Sequence, residues 1–148
     1  MKRSKIASPI HLVKPNVDEL AEVTGRPIDT IGDVTAAAEQ LRAKGLGTVL
    51  VSLGRDGAVL VDRNGALHGR TAAVTALNTV GAGDAFLAGY LAADASASLP
   101  ADRLALALRW GATAVQQQGT LLSGVDDRIS VKVTAADPKV ALSEPATP

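Results

Sequence analysis

The run Asn78-Thr79-Val80-Gly81-Ala82-Gly83-Asp84-Ala85-Phe86 joins two kinds of chain. Before it, Thr71 to Leu77 reads as extended; after it, Asp84 to about Ala93 reads as a helix of small and apolar residues. Two glycines one residue apart let backbone N–H groups converge on one point, and a helix that starts there adds the positive end of its dipole. Such a turn suits an anion. Asp84 stands at its rim, where a carboxylate can take a proton from an attacking hydroxyl while backbone N–H groups of Gly81, Ala82 and Gly83 hold transferring phosphate oxygens. The same residues equally describe a plain strand-to-helix turn with Asp84 steadying the first helical turn. Two common phosphate patterns are excluded. A dinucleotide G-x-G-x-x-G needs glycine where Phe86 stands, and no Gly-Lys-Ser or Gly-Lys-Thr triplet occurs anywhere.

Upstream, Ile10 to Val13 reads as a short buried strand ending at Lys14-Pro15. Asn16 sits where a helix N-cap would, with Glu19 three residues on, and Leu20 and Val23 begin an apolar face that stops at Gly25. Asp33 is expected to cap a second helix whose Val34, Ala37, Ala38 and Leu41 share one side before Lys44-Gly45. Thr48 to Leu53 is a continuous apolar run, as in a strand covered on both faces. Gly54-Arg55-Asp56-Gly57 then turns the chain into Ala58 to Asp62, and Asn64-Gly65 signals a hairpin before Ala66 to Arg70.

Downstream, a helix over about Ala101 to Gln118 would place Leu104, Leu108, Gly111 and Val115 on one face, and Ser130 to Val133 reads as a last strand. The tail from 135 to 148, with Pro138, Pro145 and Pro148, is expected to be loose, leaving one domain over residues 1 to 134. Strands alternating with helices predict an α/β fold with a largely parallel sheet and a hairpin insertion.

Composition narrows the function. The 148 residues suit one compact unit, and an apolar content of 47% supports a real core. The 15 Lys and Arg balance 15 Asp and Glu, which argues against a nucleic-acid surface, and an aromatic content of 2% excludes base-stacking platforms. Without cysteine there is no thiolate nucleophile, and His11 and His68 lack metal-ligand spacing. The basic start Met1-Lys2-Arg3-Ser4-Lys5 precedes an apolar stretch cut by Pro9 and His11, so no signal peptide is read. No apolar run is long enough to span a membrane, and a cytoplasmic location is the expectation.

The segment Asn78 to Leu91, with Gly81-Ala82-Gly83-Asp84 followed by Ala88-Gly89, resembles the second signature of the PfkB family of carbohydrate kinases. That resemblance implies a ribokinase-like three-layer α/β/α fold, Asp84 as catalytic base, and the backbone of Gly81, Ala82 and Gly83 as anion hole, with Thr79 beside the nucleotide. Asn16-Val17-Asp18-Glu19 is similar to the family's Asn-x-x-Glu motif, which implies that Asn16 and Glu19 organise Mg2+ through water; the same pair also makes an ordinary capping box. Ser52-Leu53-Gly54-Arg55-Asp56-Gly57 resembles a segment lying along the nucleotide, implying contacts from Ser52, Gly54 and Gly57, although a plain hairpin turn reads the same way. Gly111-Ala112-Thr113-Ala114 resembles the wall facing adenine, and close helix packing is the competing account of Gly111.

Lys14-Pro15-Asn16 and Trp110-Gly111-Ala112 look most like the 1-phosphofructokinase and tagatose-6-phosphate kinase branch. Lys14 is then expected to touch a nucleotide phosphate, or else to be a solvated loop lysine.

The resemblance covers residues 10 to 134 and corresponds to the C-terminal half of the family. The N-terminal half, with the sugar pocket and a small β lid, has no counterpart here. Three readings follow: a kinase, or its catalytic half, moving the γ-phosphoryl of ATP to a phosphorylated ketohexose; an inactive remnant that binds nucleotide or a partner; and an unrelated α/β nucleotide-binding domain. ATP, Mg2+ and K+ are the implied cofactors, and an exposed sheet edge would favour a homo-oligomer or partner chain.

Overall fold

In the computed structural model, which describes residues 11–72, 79–117 and 124–143, the elements run β1 (Leu12–Val13), α1 (Val17–Thr24), α2 (Ile31–Arg42), β2 (Thr48–Ser52), β3 (Ala58–Asp62), β4 (Gly65–Thr71), α3 (Ala82–Ala95), α4 (Pro100–Gln116) and β5 (Val131–Ala135). A single 3-10 turn, Gly54–Asp56, links β2 to β3. The expected extended stretch after β4 lies, from residue 73 to Asn78, outside the described residues.

Capping chemistry sets the first two helices. Asn16 Oδ1 accepts the Glu19 N–H at 2.8 Å while Glu19 Oε1 accepts the Asn16 N–H at 3.1 Å, and Gly25, at φ 66°, ends α1. Leu20 is buried, whereas Val23 is 62% exposed, so the inward face of this eight-residue helix is narrower than its spacing suggests. The cap of α2 is Thr30 and not Asp33. Thr30 holds an extended backbone and its Oγ1 accepts the Asp33 N–H at 3.1 Å; Asp33 is the reciprocal partner, its Oδ2 accepting the N–H groups of Asp29 and Thr30 at 3.0 Å each.

The sheet has the order β1-β2-β3-β4-β5. Its strands are not largely parallel, which corrects that part of the expectation: β1 pairs with β2 in parallel, and the β2–β3, β3–β4 and β4–β5 pairings are antiparallel. Connection length accounts for the β1–β2, β2–β3 and β3–β4 pairings, whereas β4 and β5 are antiparallel although α3 and α4 lie between them. A parallel pair needs a long crossover, which α1 and α2 supply between β1 and β2, whereas the turns at Gly54–Asp56 and Arg63-Asn64 are short and reverse the chain.

Three layers form because β2 and β3 are apolar on both faces. Val49, Val51, Val59 and Val61 pack with Leu20 and with Ile31, Val34, Ala37, Ala38 and Leu41 of α2. Leu50, Ala58 and Leu60, alternating with them along the strands, pack with Phe86, Tyr90, Leu104, Ala107 and Leu108 of α3 and α4. Each such Val or Leu contributes about 1.5–3 kcal/mol relative to exposure. Helices α3 and α4 pack closely at Gly89, which leaves room for Trp110: a Cβ on Gly89 would lie 2.8 Å from the Trp110 ring.

The tail is not loose over 136–143. Ala136 donates to Ala66 O at 3.0 Å, Ile31 donates to Val140 O at 2.8 Å and Leu142 donates to Asp29 O at 2.8 Å, while Ala136, Val140 and Leu142 pack on the α2-side core. Prolines signalled a break in regular structure, but backbone bonds to β4 and to the start of α2, with an isolated antiparallel bridge between Thr30 and Ala141, order this segment. Residues 144–148 lie outside the described residues.

Candidate functional site

Parallel pairing of β1 with β2 brings two loops out at the same, carboxyl end of the sheet, where open α/β sheets bind ligands. Lys14, Pro15 and Asn16 follow β1. The 52–57 turn follows β2, and the two are tied together: Ser52 donates its N–H to Pro15 O at 3.1 Å, and Asn16 bridges Ser52 in parallel register. Gly54 at φ 60° and Gly57 at φ 89° hold the left-handed conformations this turn requires. A Cβ on Gly57 would collide with the Gly69 carbonyl oxygen on β4, so only glycine lets the turn lie this close to the sheet.

The 81–84 turn opens α3 as its sequence predicts. Gly81, at φ 81°, is the N-cap, and Ala82, Gly83 and Asp84 are the first three helical residues. Gly81 O accepts the Ala85 N–H at 2.9 Å, and Ala82 N–H turns to Thr79 O at 3.3 Å. The N–H groups of Gly83 and Asp84 have no intrahelical acceptor and no side chain caps this end, so they and the dipole face outward together. Both residues are exposed.

Lys14, in the loop after β1, meets this turn. A Cβ built on Gly83 would stand 3.6 Å from Lys14 Nζ, so a positive charge lies beside the backbone donors of the helix start. An ammonium and the N–H groups of a helix N-terminus make this surface locally positive, with the Asp84 carboxylate on the same turn. Lys14, Gly83 and Asp84 are thus brought together, as are Asn16 and Ser52.

Gly111 is set against the back of the same turn: a Cβ there would meet Phe86 Cβ at 3.4 Å and Ala82 O at 3.6 Å, the geometry of close helix packing. Asn16 and Glu19 spend one oxygen each on the capping box. Among the described residues no group of three or more His, Cys, Asp or Glu side chains is placed to hold a metal. Glu19 and Asn16 offer one exposed carboxylate and one amide oxygen, hard donors of the kind that suit Mg2+ holding most of its own waters. A cavity of about 700 Å3, lined by His11, Thr48, Tyr90 and Arg103 among others, lies at the opposite end of β2 and contains none of these residues.

Sequence reasoning missed Asp56, His68 and Ser143. Asp56 lies between Gly54 and Gly57 yet is buried, its Oδ2 accepting the Ser143 N–H at 2.8 Å and its Oδ1 the Ser143 hydroxyl at 2.7 Å. Its backbone carbonyl is 2.7 Å from Nε2 of buried His68, and Arg70 Nη2 lies 3.8 Å from its carboxylate. A charged residue in a Gly-Arg-Asp-Gly turn carries no local sign that it points inward.

Residues 2–128 match the family model described as pfkB family carbohydrate kinase. A 1-phosphofructokinase of Haloferax volcanii is 40% identical over 117 residues, which make up 79% of this chain and 38% of that protein. The chain therefore spans well under half the length of this curated relative. Among solved structures, phosphofructokinase-2 from Escherichia coli in complex with potassium superposes with a TM-score of 0.71 at 32% identity, covering 75% of this chain and 36% of that one. Ribokinase from Thermotoga maritima superposes with a TM-score of 0.66 at 27% identity, covering 74% and 37%. Both share the layered fold described above, and the family match includes Lys14, the 52–57 turn and the 81–84 turn. The chain belongs to the PfkB family of carbohydrate kinases.

Proposed function

We propose that this chain carries the nucleotide site and catalytic base of an ATP-dependent sugar-phosphate kinase of the 1-phosphofructokinase type, converting fructose 1-phosphate to fructose 1,6-bisphosphate. The observation that carries the reading is the approach of Lys14 Nζ to Gly83 at the uncapped start of α3. In this reading Lys14 and the outward N–H groups hold the terminal phosphates of ATP. Asp84 accepts the proton of the attacking sugar hydroxyl as its oxygen bonds to phosphorus and the bond to the ADP oxygen breaks. Gly81 and Ala82 shape the turn; Thr79, Ser52, Gly54 and Gly57 line the nucleotide, and Gly111 backs the turn from α4. Bound Mg2+ would supply charge neutralisation of the phosphates, with Asn16 and Glu19 next to its water shell. A K+ ion near the turn, a homo-oligomer paired through the β1 edge, and a cytoplasmic location belong to the same reading.

A second reading, nucleotide binding without turnover, is favoured by the exposure of Asp84: phosphoryl transfer depends on positioning donor and acceptor and excluding water. Calorimetric titration with ATP and Mg2+, followed by a coupled assay of ADP release with fructose 1-phosphate, separates the two. Asp84→Ala is expected to retain ATP binding while turnover falls by about two to four orders of magnitude. ATP binding without turnover in any preparation supports the second reading, and no ATP binding overturns both.

A further inference from the structure

The C-terminal segment 136–143 lies beyond the residues matched by the family model, yet it ends on the turn that follows β2. Ser143 gives two donors to one buried carboxylate, the backbone N–H at 2.8 Å and the hydroxyl at 2.7 Å. That carboxylate belongs to Asp56, whose own carbonyl is held by His68 at 2.7 Å and whose N–H donates to Leu53 O at 3.2 Å. Ser143 and His68 hold the turn from outside it, with Arg70 Nη2 3.8 Å from the same carboxylate, and a buried carboxylate that loses a donor is left underbonded. The remainder of the segment is anchored elsewhere, on Asp29, Ile31 and Ala66.

We propose that Asp56 is a positioning residue and that Ser143, through it, sets the conformation of the 52–57 turn and hence the affinity for the nucleotide phosphates. Asp56 touches no ligand in this scheme. Its carboxylate converts the fixed end of the tail into the φ angles of Gly54 and Gly57, and the turn presents its backbone already shaped. The inference rests on the nucleotide reading above and adds a determinant outside the matched region.

The test uses the whole chain with Ser143→Ala, which removes the hydroxyl bond and keeps the backbone bond, Ser143→Thr, which restores a hydroxyl, and Val140→Ala, which loosens the same segment without touching Asp56. Two readouts are taken: hydrogen exchange of the amides of Leu53, Asp56 and Gly57 without ligand, and calorimetric affinity for ATP with Mg2+. Ser143→Ala is expected to speed exchange at these amides and weaken ATP by about fivefold to tenfold, as one lost bond to a buried carboxylate requires. Ser143→Thr should recover both, and Val140→Ala should lower the denaturation midpoint while leaving both unchanged. Wild type that binds ATP and a Ser143→Ala variant that binds it equally well would overturn the inference alone. Wild type that binds no ATP would overturn the nucleotide reading and this inference with it. Equal loss of affinity in Val140→Ala would reduce Asp56 to general stability and also refute the proposal.

Discussion

Gly83→Ala separates folding from ligand binding at the start of α3. Gly83 is the second helical residue, its φ is not in the left-handed region, and the nearest neighbour of an added Cβ is Lys14 Nζ at 3.6 Å, an ordinary contact with the flexible end of a side chain. Alanine therefore fits, and its smaller loss of backbone freedom should stabilise the fold by about 0.4–1 kcal/mol, or about 1–4 °C in Tm for a chain of this size. The same methyl fills the space through which a phosphate oxygen would join Lys14 to the Gly83 N–H. Losing one hydrogen bond to a charged group costs about 1.5–3 kcal/mol, so ATP affinity should fall by about one to two orders of magnitude. Urea unfolding followed by circular dichroism, and titration calorimetry with ATP and Mg2+, read the two effects on the same protein. A destabilised variant would refute the helix-start geometry; a stabilised variant with wild-type ATP affinity would refute the phosphate-binding role of the turn.

Gly57→Ala should do the reverse of Gly83→Ala, destabilising by about 3 kcal/mol or more in urea unfolding, because its φ of 89° is left-handed and its Cβ would meet the Gly69 carbonyl oxygen. Asp33 gives a pH dependence whose sign is set by its bonds: the Asp29 N–H and the Thr30 hydroxyl hold its carboxyl below the usual carboxylate range. That contribution to stability is present above the unfolded-state pKa and is lost as pH falls through the lower folded value, so acid titration of the denaturation midpoint should lose part of its slope in Asp33→Asn.

The elements whose cues lie within a few residues were legible in the sequence. Asn16 with Glu19, the Gly25 stop, the apolar run of β2 and the Asn64-Gly65 turn all work through bonds or conformations local to the chain. The 81–84 turn is of this kind, which is why the sequence could give the helix start there before any fold was known. Thr30 was missed as a cap because it and Asp33 both fit the capping chemistry, and only the extended backbone at Thr30 decides between them. Strand direction was misjudged because a continuous apolar run reports that both faces are covered, not which way the neighbouring strand runs.

Read alone, the amino-acid order determined the helices, the turns and the place of the glycine bend, since each depends on neighbours in the chain. Only the tertiary structure decided that Lys14 stands beside Gly83 and that Ser143 reaches Asp56, 87 residues away. Such meetings depend on how the layers stack and where the tail crosses α2, and no local periodicity encodes the distance between residues that touch only after the sheet has formed.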